Sequence, residues 1–405
     1  MKILLLSQIF DPEPNIKGLV FAKALAAAGH EVEVLTGFPN YPGGKVYPGY
    51  RIKFLQREVM DGIKVTRVPL YPYHSTSSLG RILNYGSFAA TSCIYGLFMA
   101  KKFDVIYVYT PPMTTAMSAA IISFFRRKPF VYDIQDIWPD TLRATGFVLS
   151  DRLLNCIGRC CKFLYKRAAH IVGISPGFKE RLLQRGVSAQ KISVIYNWCD
   201  EQALQTTHQV DLQHMGLAGR FNLVFAGNMG KAQALDNVML AAKQVAAVNP
   251  SVQFVFVGGG IEVECLKRFI KEQEISNVIF LPRMPMNEIG TVLQAADVLL
   301  VHLKDDPLFE ITIPSKTQAY MAMAKPILMA VKGNAAELIQ QADAGYCAEP
   351  ENIDSIVKAV LAMAALPSNV LQQMGQNGKY YYTKHLSLQV GVRQTIAVLQ
   401  QVVKI

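Results

Sequence analysis

The strongest constraint in this sequence is an alternation of short apolar runs with helix-period segments, and the alternation starts twice. "KILLLSQ" (2–8) reads as a buried strand. A Pro- and Gly-containing loop (11–18), a helical stretch (19–30) and a second strand (31–36) follow, with Gly29 placed to end the helix. Further strand runs occupy 65–70, 105–110, 129–134, 170–175 and 192–197, with helical patterns between most of them. Residues 201–220 are polar and irregular, as in a linker. The pattern then restarts with a strand at 221–228, a helix at 234–248, and strands at 252–260, 278–283, 298–303, 325–330 and 345–349. Strand–helix alternation predicts parallel sheets with helices on both faces. Two starts predict two Rossmann-like, doubly wound α/β domains, at 1–205 and 206–385, with a C-terminal helix over 386–405. Ligands of such sheets bind outside the carboxyl ends of the strands, so a site is expected in a cleft between two domains facing one another.

Length and composition agree with this: 405 residues suit about two domains, and 51% hydrophobic residues suffice for two cores. The net charge of +11 is one-sided. Residues 1–200 hold 25 Lys/Arg against 13 Asp/Glu, whereas residues 201–405 hold 16 against 17. Such imbalance suits an anionic partner or, more plainly, a solvated surface. Seven cysteines show no paired framework, which fits a reducing compartment. Cys156, Cys160 and Cys161 lack nearby His or acidic ligands and read as buried thiols of a helix rather than a zinc site. The opening "MKILLLSQIFDPEP" is too short an apolar run, broken by Gln8 and Asp11, for a signal peptide. The stretch 84–102 is too short to span a membrane comfortably. It reads as a core helix or as one lying in a membrane interface, with Lys101 and Lys102 at its edge.

Three loops of the second half carry the chemistry. In "GNMGKAQ" (227–233), Gly227 and Gly230 stand between a strand and a helix, where backbone N–H groups can approach an anion. Glycine at a strand–helix turn also serves simply for positive φ. "GGG" (258–260) repeats the arrangement. The third stretch is "FEITIPSKTQAYMAMAKPILM" (309–329), in which Pro314 suits the first helical position and Ser315 the cap. A cation at Lys316, in the first turn, opposes the helix dipole. It makes sense if a strong anion such as a diphosphate sits there, and otherwise it is a solvated surface lysine. Glu310 suits a sugar hydroxyl or a solvated loop. There is no G-x-x-x-x-G-K-[ST], and "DPEPNIKG" has a single glycine, Gly18, so neither a Walker-type NTPase nor a dinucleotide fingerprint is present. The "DD" at 305–306 reads as a solvated turn, and no metal site is expected.

These segments, with "LAAAGHEVEVLTGFPNYPGG" (26–44), "YDIQDIWPD" (132–140), "IVGISPGFKERL" (171–182), "VIYNWCDE" (194–201) and "FLPRMPMNEIGTVLQAADVLLV" (280–301), make the chain resemble the GT-B glycosyltransferases of family 4 over essentially its whole length. Within them it is similar to L-fucosamine (N-acetyl-fucosamine) transferases of O-antigen and capsule synthesis. The resemblance implies a nucleotide-sugar donor, here a UDP-sugar, on the C-terminal domain and an acceptor on the N-terminal one, with retention of anomeric configuration. It also implies that the C-terminal helix crosses back to the N-terminal domain. By position it places Gly227, Asn228, Gly230 and Gln233 near the diphosphate, with Gly258 and Gly260 beside them, and Arg283 at the base. Glu310 and the run Ile311, Thr312, Ile313, Pro314, Ser315 and Lys316 fall at the sugar and phosphates. Asn15, Lys17, Gly18 and Gln135 lie on the acceptor side, Asp136 lies in the N-terminal loop facing the sugar, and Lys316, Glu310 and Asp136 are the catalytic candidates. The sequence departs from the family in three places. Ala319 stands where many relatives carry a second glutamate that grips the ribose, and Gln318, one residue away, is the donor-binding residue expected to substitute for it. Asn228 and Gln233 replace a basic pair. Gln135 replaces an acceptor-side histidine.

The mechanism implied is front-face attack, the departing phosphate taking the acceptor's proton, with Lys316 and backbone N–H groups stabilising the growing charge. No cofactor is called for. Basic-aromatic segments "FFRRKPF" (124–130), "CKFLYKR" (161–167) and "GFKERLLQR" (177–185) suit an anionic membrane surface, and hence a polyprenyl-diphosphate-linked saccharide acceptor at the cytoplasmic, inner membrane face. No nucleic-acid motif is present. Two alternatives stand beside this: a nucleotide-sugar epimerase of the same fold, and a non-catalytic nucleotide-sugar-binding protein at a membrane.

Overall fold

The computed structural model describes residues 1–74, 77–144, 150–204 and 213–404. They divide into two compact units, one of residues 1–196 with 388–405 and one of residues 197–387. The boundary expected at 205/206 lies outside the described residues.

The first unit is built on an eight-stranded sheet. Its strands are β1 (Lys2–Ser7), β2 (Glu31–Gly37), β3 (Gln56–Met60), β4 (Ile63–Val68), β5 (Val105–Tyr109), β6 (Phe130–Ile134), β7 (His170–Gly173) and β8 (Ile192–Val194). Their order is β3-β4-β2-β1-β5-β6-β7-β8. All neighbours pair in parallel except β3 and β4, which form an antiparallel hairpin at the edge. The sequence pattern shows no strand at 56–60, because "QREVM" is polar and alternates as a solvated edge strand must. β1 and β5 are buried on both faces and read as continuous apolar runs for that reason. Chain progression reverses between β1 and β5, which is the switch point of this sheet.

Helices α1 (Leu19–Ala27), α2 (Ser78–Met99), α3 (Met113–Arg126) and α4 (Asp151–Arg167) cover the sheet. α2 packs on β2, β4 and α3, and α3 packs on β5, β6 and α4. α2 buries an unusual stripe of Gly80, Asn84, Phe88, Ser92 and Gly96. Close approach explains it: Ser92 Oγ donates to Ser118 Oγ at 3.0 Å, and a Cβ on Gly96 would collide with Ile122. The C-terminal helix, Leu388–Lys404, packs on α1 and β5 within this unit. Of the three thiols expected to be buried, only Cys161 is, its sulfur 3.2 Å from that of Met113; Cys160 is half-buried and Cys156 exposed, because they fall on the outer face of α4.

The second unit holds a six-stranded, all-parallel sheet. Its strands are β9 (Phe221–Asn228), β10 (Val252–Gly259), β11 (Val278–Leu281), β12 (Val298–His302), β13 (Ile327–Ala330) and β14 (Gly345–Cys347), in the order β11-β10-β9-β12-β13-β14. The switch point lies between β9 and β12. Helix α5 (Leu235–Val248) turns Leu235, Val238, Met239, Ala242 and Val245 into a core with Phe225, Phe254 and Phe256. Helix α6 (Ser315–Ala322) follows β12 and a short helical turn, Pro307–Glu310. Both units are Rossmann-like, doubly wound parallel-sheet α/β domains, as the sequence pattern predicts.

Candidate functional site: two strand-end constellations

In the second unit the ends of β9 and β10 run side by side, Gly227 opposite Gly258 and Asn228 opposite Gly259. The backbones are so close that a Cβ on Gly258 would collide with the Gly227 carbonyl oxygen, and one on Gly260 with that of Met229. Both have φ in the left-handed half, at 138° and 153°, so here glycine is required twice over. The loop that follows is cross-tied. Met229 N–H donates to Gly259 O at 2.8 Å, and Gly230 N–H donates to Gln233 Oε1 at 3.0 Å. Gln233 thus spends its side-chain oxygen inside the loop. Asn228 is exposed, and Gly230 is buried beside it.

A residue not singled out in the sequence fixes this loop from below. His302, at the end of β12 and fully buried, donates from Nδ1 to Gln233 O at 2.6 Å and accepts at Nε2 from Glu351 N–H at 3.1 Å. Burial holds its pKa below the usual histidine value, so the ring is the neutral tautomer those two bonds require. Its only sequence signal was a polar residue ending an apolar strand.

α6 starts at the same switch point. Its order is the reverse of that expected: Pro314 is the cap and Ser315 the first helical residue, with no side-chain cap bond. Proline precedes serine in the chain, so the residue lacking N–H falls outside the helix. Ser315 is exposed, and Ile313 is buried as the loop's apolar anchor. Gln318 is buried and turned onto its own helix start, its amide nitrogen 3.0 Å from the carbonyl oxygens of Ser315 and Pro314. Tyr320 OH accepts from Ala226 N–H at 2.8 Å, tying α6 to β9.

Lys316 lies between these elements. Its Nζ sits 3.3 Å from the centroid of the Phe225 ring, shielded from water and without a hydrogen-bond partner. A Cβ on Gly227 would stand 3.4 Å from it. Burial pushes its pKa down to about 7. Of the two readings of Lys316, the solvated surface lysine is therefore excluded: the ammonium is drawn inward, over an aromatic face, in the room that Gly227 leaves. Glu310 is exposed, its backbone packed against Gly333, where a Cβ would collide with it. Thr312 Oγ1 donates to Leu308 O at 2.8 Å, bracing the loop that continues through Ile311. Arg283 is exposed just past β11, away from the β9–β12 switch point.

The first unit has its own constellation. Asp133, fully buried at the end of β6, receives Lys17 Nζ, Tyr107 OH and Gln135 Nε2, the last at 2.6 Å. Lys17 is fully buried, so its charge is matched inside the protein. Asn15 Nδ2 donates to Asp11 Oδ2 and Glu13 O, and a Cβ on Gly18 would collide with both Asn15 and Asp11. Glu13, also unremarked in the sequence, is buried and accepts the N–H groups of Phe10, Asn40 and Tyr41 at 3.2, 2.7 and 2.7 Å, gathering two loops at this sheet edge. Burial raises its pKa against the pull of those three donors. Asp136 has no hydrogen-bond partner for its carboxylate among the described residues, and burial pushes its pKa up to about 6.

Comparison with known proteins matches both units. Residues 19–198 match the family model "Glycosyl transferase 4-like domain", and residues 216–381 match "Glycosyl transferases group 1". The chain is 25% identical over 389 residues to WcaI of Escherichia coli (strain K12), named as a colanic acid biosynthesis glycosyl transferase, covering 91% of this chain and 93% of that one. It is 25% identical over 304 residues to WbjE of Pseudomonas aeruginosa, named as a glycosyltransferase, covering 72% and 74%. Among solved structures, Anabaena HepE in complex with UDP-glucose superposes with a TM-score of 0.70 at 20% identity, covering 99% of this chain and 100% of that one. Sucrose-phosphate synthase from Thermosynechococcus elongatus gives 0.74 at 15%, covering 99% and 98%. With these two domain matches behind the fold, the chain is a glycosyltransferase of the family 4, group 1 type.

Proposed function

We propose that the protein is a retaining glycosyltransferase that moves a sugar, in the class of N-acetyl-L-fucosamine and related N-acetylamino sugars, from a UDP-sugar to a polyprenyl-diphosphate-linked saccharide during surface-polysaccharide (O-antigen or capsule) synthesis. It works on the cytoplasmic side, peripheral to the inner membrane face. The observation that carries the donor half is the unpartnered Lys316 ammonium at the β9–β12 switch point, beside the glycine loop and the first turn of α6. A buried cation without a counter-ion is costly, and a diphosphate would relieve that cost. Support for UDP comes from HepE, solved with UDP and glucose. Support for a surface polysaccharide comes from the name of WcaI.

In this reading the C1–O bond to the diphosphate breaks as the acceptor oxygen bonds C1 on the same face. The leaving phosphate oxygen takes the acceptor's proton. Lys316 and the 227–230 and 313–316 backbone meet the charge growing on the diphosphate. Glu310 and the loop around Thr312 hold the sugar, and Asp136 with Gln135 serves the acceptor side. The test is a calorimetric titration with UDP, GDP and ADP, repeated on Lys316→Ala, followed by product formation on lipid-linked saccharides. Selective UDP binding lost in the variant, with transfer to lipid-linked acceptor, is the expected result. Turnover of UDP-sugar without acceptor would favour an epimerase, and UDP binding without any turnover would favour a binding protein.

A further inference from the structure

Among the described residues no single helix is long and apolar enough to cross a membrane. Two helices of the first unit nevertheless carry their hydrophobicity on the wrong side for a solvated surface. α2 buries its small and polar stripe and exposes Leu79, Ile82, Leu83, Ile94 and Phe98, with Gly86 and Ala90 in line between them. The spacing of three to four residues makes this one continuous stripe. α3, packed against it, exposes Met117, Ile121, Phe124 and Phe125 at the same spacing. Phe98, Phe124 and Phe125 are 74%, 61% and 66% exposed, well beyond what a scattered surface residue shows.

The charge around this apolar face is predominantly positive. The stretches 78–102, 113–128 and 151–167 hold eleven Lys/Arg and a single acid, Asp151. α4 packs beside α3 and presents Arg159, Lys162, Lys166 and Arg167 to solvent, with the Arg167 guanidinium 5.3 Å from the centre of the Phe124 ring. On the opposite flank, beyond the C-terminus of α2, Arg57 of β3 joins Phe98, Met99, Lys101 and Lys102 around an open surface cavity of about 570 Å³. Lys102 is held by Glu33, Nζ to Oε1 at 2.6 Å, whereas Arg57 and Lys101 have no ion-pair partner among the described residues.

We infer that the α2–α3 face is a monotopic docking surface for an anionic bilayer, with its apolar stripes at acyl-chain level and the 570 Å³ cavity receiving a lipid phosphate. An apolar stripe flanked by a strong excess of cations matches the two layers of such a bilayer, apolar chains beneath anionic headgroups. A water-soluble acidic protein would match the cations but leave the exposed phenylalanines without a partner. The choice of occupant leans on the lipid-linked acceptor proposed above; the surface stands on its own residues.

The test is flotation of the full chain with vesicles of phosphatidylglycerol and phosphatidylethanolamine, and with vesicles of phosphatidylcholine, at low and at high salt. Wild type is expected to float with the anionic vesicles and to be weakened by salt. A variant carrying Phe98→Ser, Phe124→Ser and Phe125→Ser should lose roughly tenfold or more in partitioning. Arg57→Gln with Lys101→Gln should lose the preference for anionic lipid, by roughly fivefold per charge, while keeping its apolar stripe. Calorimetry with UDP on the same preparations separates the two proposals, because failure to bind UDP would sink the donor reading and leave flotation unaffected. The docking proposal is overturned if wild type floats with neither vesicle, or if the serine variant floats as well as wild type. It is equally overturned if the serine substitutions dissociate a dimer instead, which would make the face an interface between copies.

Discussion

If Lys316 meets the donor diphosphate as proposed, its lowered pKa makes UDP binding a proton-linked reaction. In the free protein burial holds the amine at about 7, so roughly half is charged at pH 7, about a tenth at pH 8 and about a hundredth at pH 9. A diphosphate against Nζ favours the ammonium and returns the pKa toward the ordinary lysine value. The terminal phosphate of UDP has its last ionisation near about 6, so its own charge is constant above pH 7. The neighbouring His302 is held neutral throughout this range. Affinity for UDP should therefore fall toward tenfold per pH unit above 7, about fiftyfold in all between pH 7 and 9. Each UDP bound at pH 8 should take up about 0.9 proton. Titration calorimetry at pH 8 in two buffers of different ionisation enthalpy measures the uptake, and titrations at pH 7, 8 and 9 measure the slope. Lys316→Arg supplies the control, since a guanidinium stays charged and should bind UDP with a flat pH profile. A flat profile in the wild type, with no proton uptake, would refute the reasoning: Lys316 would then not meet the anion.

Other expectations follow from the same geometry. With no ligand, the unfolded chain binds more protons at Lys316 than the folded one between pH 7 and the normal lysine range, so this group's contribution to stability rises with pH across that window. Lys316→Met should lose a slope of up to about 1.4 kcal/mol per pH unit and melt higher than wild type at pH 7, as thermal denaturation would show. Gly258→Ala should cost about 2 kcal/mol or more in denaturant unfolding, because its φ of 138° and the Gly227 carbonyl both exclude a Cβ. His302→Phe should keep the fold but leave Gln233 O and Glu351 N–H unpaired, at about 2 kcal/mol, and weaken UDP binding roughly tenfold by loosening the 227–233 loop. If ionised Asp136 serves the acceptor, transferase activity should fall below pH 6 in the wild type, and Asp136→Asn should lack that acid limb in its kcat/KM profile.

What the sequence made legible was whatever depends on neighbours along the chain. β9 could be bounded to the residue, because a doubly buried parallel strand is a continuous apolar run ended by glycine. β3 could not be seen in its own residues, since an exposed edge strand is polar. Its trace was the Asp61-Gly62 pair, both at positive φ, the signature of a tight hairpin turn. The site was legible as a list and not as an arrangement. That Lys316 carries a cation into the first turn of α6 is plain in the sequence. That it lies over Phe225 and under Gly227 depends on residues about ninety positions away. Lys17 meets Asp133 across 116 positions, and neither residue's surroundings in sequence announce the other. His302 went unnoticed because both groups it bonds are backbone, and backbone leaves no mark on residue type.

The two switch points share a plan and differ in one respect that bears on the division of labour. In each, a lysine that entered from a loop or helix start is carried beneath the strand ends. In the first unit Lys17 finds Asp133, backed by Tyr107 and Gln135, and the charge is matched within the protein. In the second unit Lys316 finds an aromatic face and no acid, so its charge is suppressed rather than matched. An anion arriving at the first switch point would have to compete with a carboxylate already in place. At the second it would complete an arrangement that lacks only its negative member. Introducing an acid beside Lys316 would make the second switch point resemble the first. Phe225→Asp would bury too much charge, but Gly227→Asp at the open strand end would set a carboxylate near Nζ. Even with the backbone strain at φ 138° reckoned separately through Gly227→Ala, it should abolish UDP binding and return the Lys316 pKa toward normal. If Gly227→Asp bound UDP as well as Gly227→Ala, an unmatched lysine would not be what marks the donor site.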